Sequence, residues 1–179
     1  MATIWTIGHS TRSLEEFLEL LRANHIETVA DVRRYPGSRK FPHFGRDALR
    51  EALAAAGIGY EHFVELGGRR KARPDSPNTA WRSEAFRGYA DFMMTTEFDS
   101  AIRKLVDLAE RRRTAILCSE AVWWRCHRGL VSDWLKADGH DVLHITGRAV
   151  PEPHPYTSAA SIAGGRLSYS GVASADAGE

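Results

Sequence analysis

Only two cysteines, Cys118 and Cys126, occur in the 179 residues, with seven others between them. That is too few for a disulfide framework, and it leaves each thiol open to other chemistry. Long apolar runs are missing too. No stretch approaches the roughly 18 residues a membrane helix needs. The opening Met-Ala-Thr-Ile-Trp lacks the basic and apolar regions of a signal peptide. Neither sign of charge dominates: 24 Lys and Arg face 23 Asp and Glu, a formal net charge of +1. This excludes a globally basic nucleic-acid binder, though not a local basic patch. Internal repeats and coiled-coil heptads are absent. The apolar share, 43%, suffices for one packed core. The expectation is a soluble, cytoplasmic, single-domain protein with no membrane partner.

Up to residue 146 the chain alternates between β-rich runs and helical periods. Thr3–Ile7, Thr28–Val32, Ile58–Val64, Thr114–Cys118 and Asp141–Ile145 are the five strand candidates. Ser13 and Glu16 form a capping box ahead of Leu14, Phe17, Leu18 and Leu21, which recur at helical spacing. Further helices are expected around Leu49–Ala56, Ser83–Met94, Phe98–Ala109 and Leu130–Leu135, with Gly57 and Gly139 as stops. This alternation predicts an α/β fold: an open, mostly parallel five-stranded sheet with helices on both faces. Residues 147–179 differ, with Pro151, Pro153, Pro155 and five glycines. They read as an irregular tail with one strand-like piece near Leu167–Tyr169, adding little to the core.

In an open parallel sheet ligands bind beyond the carboxyl ends of the strands. The expected strand ends carry Gly8-His9-Ser10, Asp31-Val32-Arg33 and Cys118-Ser119-Glu120, and the helix after the fourth strand begins near Cys126-His127-Arg128. His9, Asp31, Cys118 and Arg128 are therefore expected to border one pocket. A cysteine at a helix start beside Arg125 and Arg128 should favour thiolate, which makes Cys126 the expected nucleophile. His127 is a candidate acid or base near neutral pH. Cys118, ending an apolar strand, is more simply a core cysteine. Phosphatase-type spacing, Cys then five residues then Arg, fails for both: the sixth residue on is Trp124 or Ser132. A zinc site from Cys118, Cys126, His127 and His9 has suitable ligand types but non-standard spacing, so no metal is assigned and the cofactor is left unknown.

Asp31 sits inside an apolar run, where a carboxylate must be paired or catalytic. Arg33 shares its strand face. The two form either a structural ion pair or a held acid–base with an anion-binding arginine alongside. Glu120 is either a general base or the acidic partner of Arg128. Between Arg33 and Arg73 ten basic residues face four acidic ones, with Tyr35, Phe41, Phe44 and Tyr60 interleaved. That mixture suits phosphate and base stacking. Trp123-Trp124 is a stacking platform or a hydrophobic cap.

Thr6-Ile7-Gly8-His9-Ser10, Asp31-Val32-Arg33, Pro36-x-Ser38-Arg39, Leu66-Gly67-Gly68, Cys118-x-Glu120 and Cys126-His127-Arg128 occur here in that order. This set resembles the family called domain of unknown function 488, over about residues 3–146. The resemblance implies a compact α/β domain and supplies no reaction. Trp123-Trp124-Arg125 departs from the more polar stretch expected before Cys126.

The expected catalytic residues are Cys126, His127, Asp31, His9 and Glu120, and the expected anion-binding residues Ser10, Arg33, Ser38, Arg39 and Arg128. The reading is an enzyme acting on a phosphorylated or nucleotide-like substrate, with a small anionic ligand as partner. A nucleic-acid-binding or processing protein and a non-catalytic ligand-binding module are the alternatives.

Overall fold

The computed structural model describes residues 1–37 and 39–171. Five parallel strands are present: β1 (Thr3–Gly8), β2 (Thr28–Asp31), β3 (Gly59–His62), β4 (Thr114–Cys118) and β5 (Asp141–Ile145). They lie in the order β3-β2-β4-β1-β5, and a short β6 (Glu152–Pro153) adds antiparallel to β5 at the edge. The chain is thus an open α/β sheet, one strand wider than expected, because the segment after residue 147 supplies the sixth strand.

Among the described residues five α-helices cover the sheet: α1 (Leu14–Ala23), α2 (Arg46–Ala55), α3 (Glu84–Phe92), α4 (Thr96–Arg111) and α5 (Arg128–Ala137). Their starts follow local chemistry. Ser13, Ser83 and Thr95 accept backbone N–H bonds from Glu16, Phe86 and Phe98, so the first turns of α1, α3 and α4 are capped. Gly57 and Gly139 follow α2 and α5 with φ of 76° and 96°, which a side chain would resist.

Period-two alternation sends neighbouring strand residues to opposite faces. Trp5, Ile7, Val29, Ala115 and Leu117 meet Phe17, Leu21, Leu49 and Leu53 from α1 and α2. Ile4, Ala30, Ile116 and Cys118 meet Tyr89, Ile102, Leu105 and Leu130 from α3, α4 and α5. Helices therefore lie on both faces. α1 and α2 lead the chain from β1 towards the β3 edge; α4 and α5 lead it the other way. The reversal falls between neighbours β4 and β1, which makes their carboxyl ends the switch point where a crevice opens.

The strand-like piece expected near Leu167–Tyr169 is present, but the segment after residue 147 adds more to the core than expected. A hairpin of β7 (Ser161–Ala163) and β8 (Arg166–Ser168) turns at Gly164-Gly165, both at positive φ. Ala159 and Tyr169 are buried in the core on the α5 side, and His154 and Thr157 are buried as well. Composition hid this because the contribution is mainly polar: Asp133 of α5 accepts bonds from His154 Nε2, the Thr157 N–H and hydroxyl, and the Tyr169 hydroxyl. No described helix is long and apolar enough to cross a membrane.

Candidate active site

At the switch point the loop after β4 crosses β1 very closely. His9 N–H donates to the Cys118 carbonyl at 3.0 Å and Ser10 N–H to the Ser119 carbonyl at 2.9 Å. A Cβ on Gly8 would overlap the Glu120 carbonyl, so only glycine fits there. Beside this crossing lies a cavity of about 300 Å³. Its lining includes Cys118, Cys126 and His127, the arginines Arg33, Arg34, Arg69 and Arg125, and the aromatic rings of Tyr35, Phe86 and Tyr89.

The two cysteines meet there. Their Sγ atoms lie 2.8 Å apart and both are free thiols. Behind them Arg128, 1% exposed, donates from Nη1 to Thr6 Oγ1 at 3.3 Å and from Nη2 to the Glu120 carbonyl at 2.9 Å. Its Nε has no hydrogen-bond partner, and no carboxylate pairs with it among the described residues. A buried guanidinium without an anion is costly, and a thiolate nearby offsets that cost. Burial by itself pushes the Cys118 thiol up. The hydrogen bond from Cys126 and the charge of Arg128 outweigh it and bring Cys118 down to about 7. Burial pushes the Cys126 thiol up, and its bond to Cys118 holds its proton in place.

The lower pKa thus falls on Cys118, where the sequence pattern predicts it on Cys126. Helix α5 starts at Arg128, and Cys126 precedes its N-cap residue His127 with only 8% exposure. Its Sγ accepts from the Arg128 N–H at 3.2 Å, Cys118 Sγ lies 3.9 Å from the Glu120 carbonyl, and either sulfur can donate across the contact between them. His127 also differs from expectation. Burial lowers it to about 4, and its Nε2 donates to the Val32 carbonyl at 3.2 Å, so it is a neutral cavity wall at pH 7.

The expectation that His9, Asp31, Cys118 and Arg128 border one pocket is not met: of the four, only Cys118 lines the cavity. His9 stacks on Phe44, centroids 4.5 Å apart, on the face covered by α1 and α2, and burial lowers its pKa. Asp31 is fully buried and accepts from Arg33 N, Nε and Nη2 and from the Tyr60 hydroxyl. Arg33 Nη1 donates to the Phe44 carbonyl at 2.7 Å. The geometry is that of the ion pair, ordering the loop after β2. Glu120 also lines the cavity with an exposed side chain, and it offers Arg128 its backbone carbonyl. Ser10 takes a positive φ of 47° at the strand crossing, outside the cavity lining. Arg39 is exposed and also outside it. Ser38 lies outside the described residues.

Sequence reasoning missed a buried relay behind the site. Arg128 Nη1 donates to Thr6 Oγ1; Thr6 lies 2.6 Å from His144 Nδ1; His144 Nε2 lies 2.8 Å from His154 Nδ1; and His154 Nε2 lies 2.8 Å from Asp133 Oδ1. The run has one consistent direction. Each group donates to the next, from the guanidinium to a carboxylate that accepts from four donors. Burial lowers His144 to about 2, consistent with the neutral ring this direction needs. Trp123 stacks on His144 at 4.9 Å and 9°, while Trp124 is 55% exposed, so the first tryptophan is a cap. The available signal was His144 inside an apolar strand and Asp133 inside an apolar helix, the same anomaly that marked Asp31.

Among the described residues no cluster of three or more His, Cys, Asp or Glu side chains is placed to hold a metal ion. In the zinc set considered above, His9 lies on the other face of the sheet from the cysteines.

With the geometry in place, comparison with known families is decisive for kinship. The family model described as Domain of unknown function DUF488 matches residues 13–135. The chain belongs to the DUF488 family. The matched span runs from α1 into α5 and contains both cysteines, Arg128 and the arginine-lined cavity, so the centre of the site is part of the DUF488 region. Residues 3–8 of β1 and the segment after residue 135 lie outside it. No curated protein and no solved structure matches the chain.

Proposed function

We propose that this DUF488 protein is a thiol-dependent enzyme acting on a small anionic, phosphorylated or nucleotide-like substrate. The observation that carries this reading is the Cys118 thiol on the floor of a cavity rimmed by arginines, with the Arg128 guanidinium buried behind it and lacking a carboxylate. Cys118 is the nucleophile and Cys126 donates to its thiolate. Arg34, Arg69 and Arg125 meet the anion, and Tyr35 and Phe86 offer faces for a ring. Asp31 and Arg33 hold the loop that carries Arg34 and Tyr35. Arg128 is a positioning residue, acting through Cys118.

The nucleic-acid alternative draws less support, because several loop cations are engaged within the fold. Arg33 pairs with Asp31, Arg70 donates to the Gly67 and Glu65 carbonyls, and Arg46 and Arg50 face Asp47.

The test is protection from alkylation. Iodoacetamide should modify Cys118 at neutral pH, and a panel of nucleotides and aromatic phosphates should slow that reaction in a saturable way, with the effect lost in Arg34→Ala and Arg125→Ala. Modification unaffected by every anion in the panel would remove the substrate class, and an inert Cys118 would remove the nucleophile.

A further inference from the structure

The pairing of the two cysteines carries more than one nucleophile needs. Cys118 and Cys126 are the chain's only cysteines, they come from separate elements, and both line the same cavity. Their sulfurs are 2.8 Å apart, so a disulfide of about 2.05 Å requires a shift of under an ångström. Backbone N–H of Arg128 donates to Cys126 Sγ at 3.2 Å and holds that sulfur against its neighbour. A nucleophile that only transfers a group needs a hydrogen-bond donor beside it, which any N–H or hydroxyl can supply. A nucleophile that must be displaced from a mixed disulfide needs a second thiol.

We propose that Cys118 and Cys126 form a dithiol–disulfide couple whose substrate is a low-molecular-weight disulfide bearing negative charge. The proposal rests on the preceding reading for the nucleophile and the anionic preference, and adds the reaction. The Cys118 thiolate attacks one substrate sulfur; the substrate S–S bond breaks, and the other half leaves as a thiolate with the bond's electron pair. Cys126 then gives up its proton to solvent and attacks the Cys118 sulfur, expelling the second half as a thiolate. The protein dithiol is oxidised by two electrons, the substrate disulfide is reduced to two thiolates, and one proton is released. The exposed cations Arg69 and Arg125 stand at the cavity where the two anionic halves enter and leave.

Dithio-bis-nitrobenzoate, a dianionic aromatic disulfide, tests this on the full chain. The reduced protein should release two thionitrobenzoates, keep no adduct and lose the mass of two hydrogens. Cys126→Ser, or Cys126→Ala should the first variant not fold, should release one and retain one adduct, mapped to Cys118. Cys118→Ser should react at least about tenfold more slowly. Dithiodiglycolate, an anionic disulfide, should react at least about tenfold faster than the cationic cystamine at low salt. Wild-type protein retaining an adduct on Cys118 would overturn the couple while leaving the nucleophile standing. No reaction at Cys118 would overturn both, and equal rates for the two charged disulfides would overturn the substrate class.

Discussion

His154 Nε2 lies 2.8 Å from Asp133 Oδ1, and neither side chain is exposed. This bond joins the segment after β5 to the helix that begins with Arg128, and through His144 and Thr6 it reaches the guanidinium behind Cys118. Asp133→Ala would strand donors from His154, Thr157 and Tyr169 in the interior. It should cost about 3–5 kcal/mol, read from urea unfolding. Truncation at Gly147 should likewise lower the unfolding midpoint, because it uncovers His144 and removes β6 and Tyr169 from the fold.

The buried histidines set an acid limit on stability. His127 and His144 are lowered from 6.5 to about 4 and about 2 by burial. Above pH 6.5 both folded and unfolded chains hold them neutral, and stability is unaffected. Below it the unfolded chain binds protons that the folded chain refuses, so stability falls by about 1.4 kcal/mol per pH unit for each histidine. The loss for His127 levels off near pH 4, while that for His144 continues below it. Urea midpoints measured between about pH 7 and pH 5 should show this slope, and His144→Asn should reduce it by about one proton.

Alkylation kinetics separate the two thiols. Cys118 should be modified before Cys126, because the Cys126 contact and the Arg128 charge bring Cys118 down to about 7 against its burial, while burial pushes Cys126 up. Cys126→Ala removes the donor, so the pH midpoint for Cys118 alkylation should move upward and the rate at pH 7 should fall. Arg128→Met should move the midpoint the same way by removing the cation. Initial labelling at Cys126, mapped by peptide mass, would reverse the assignment.

Gly8→Ala is expected to be severe. The added methyl group would occupy the place of the Glu120 carbonyl, which is held by the bond from Arg128 Nη2. Either β1 or the loop after β4 must move, at a cost above about 3 kcal/mol, measurable as a lower melting temperature. Asp31→Ala should cost a similar ~3–5 kcal/mol, since it leaves the Arg33 guanidinium buried with the Phe44 carbonyl as its remaining acceptor.

Much of the fold is legible along the chain because its signals are local. The run Thr114–Cys118 is a strand in the structure, and Ser13 caps α1 through the Glu16 N–H as its position suggests. The edge that carries the cavity follows from the same strand ends, since parallel strands all point their carboxyl ends one way. Which face each residue takes is less legible. Cys118 and Leu117 are neighbours in one apolar run, yet one joins the cysteine pair and the other packs beneath α1 and α2.

The amino-acid sequence by itself determined the parallel α/β layout and the kinship carried by its ordered motifs, because periodicity, caps and strand ends are properties of adjacent residues. Only the tertiary structure decided that the two cysteines meet beside Arg128, that Asp31 pairs with Arg33, and that residues 154–169 are anchored on Asp133. Each of these depends on a partner distant in the chain, such as Thr6 for His144 and Arg128, or on burial, which shifts a pKa through surroundings that no local pattern encodes.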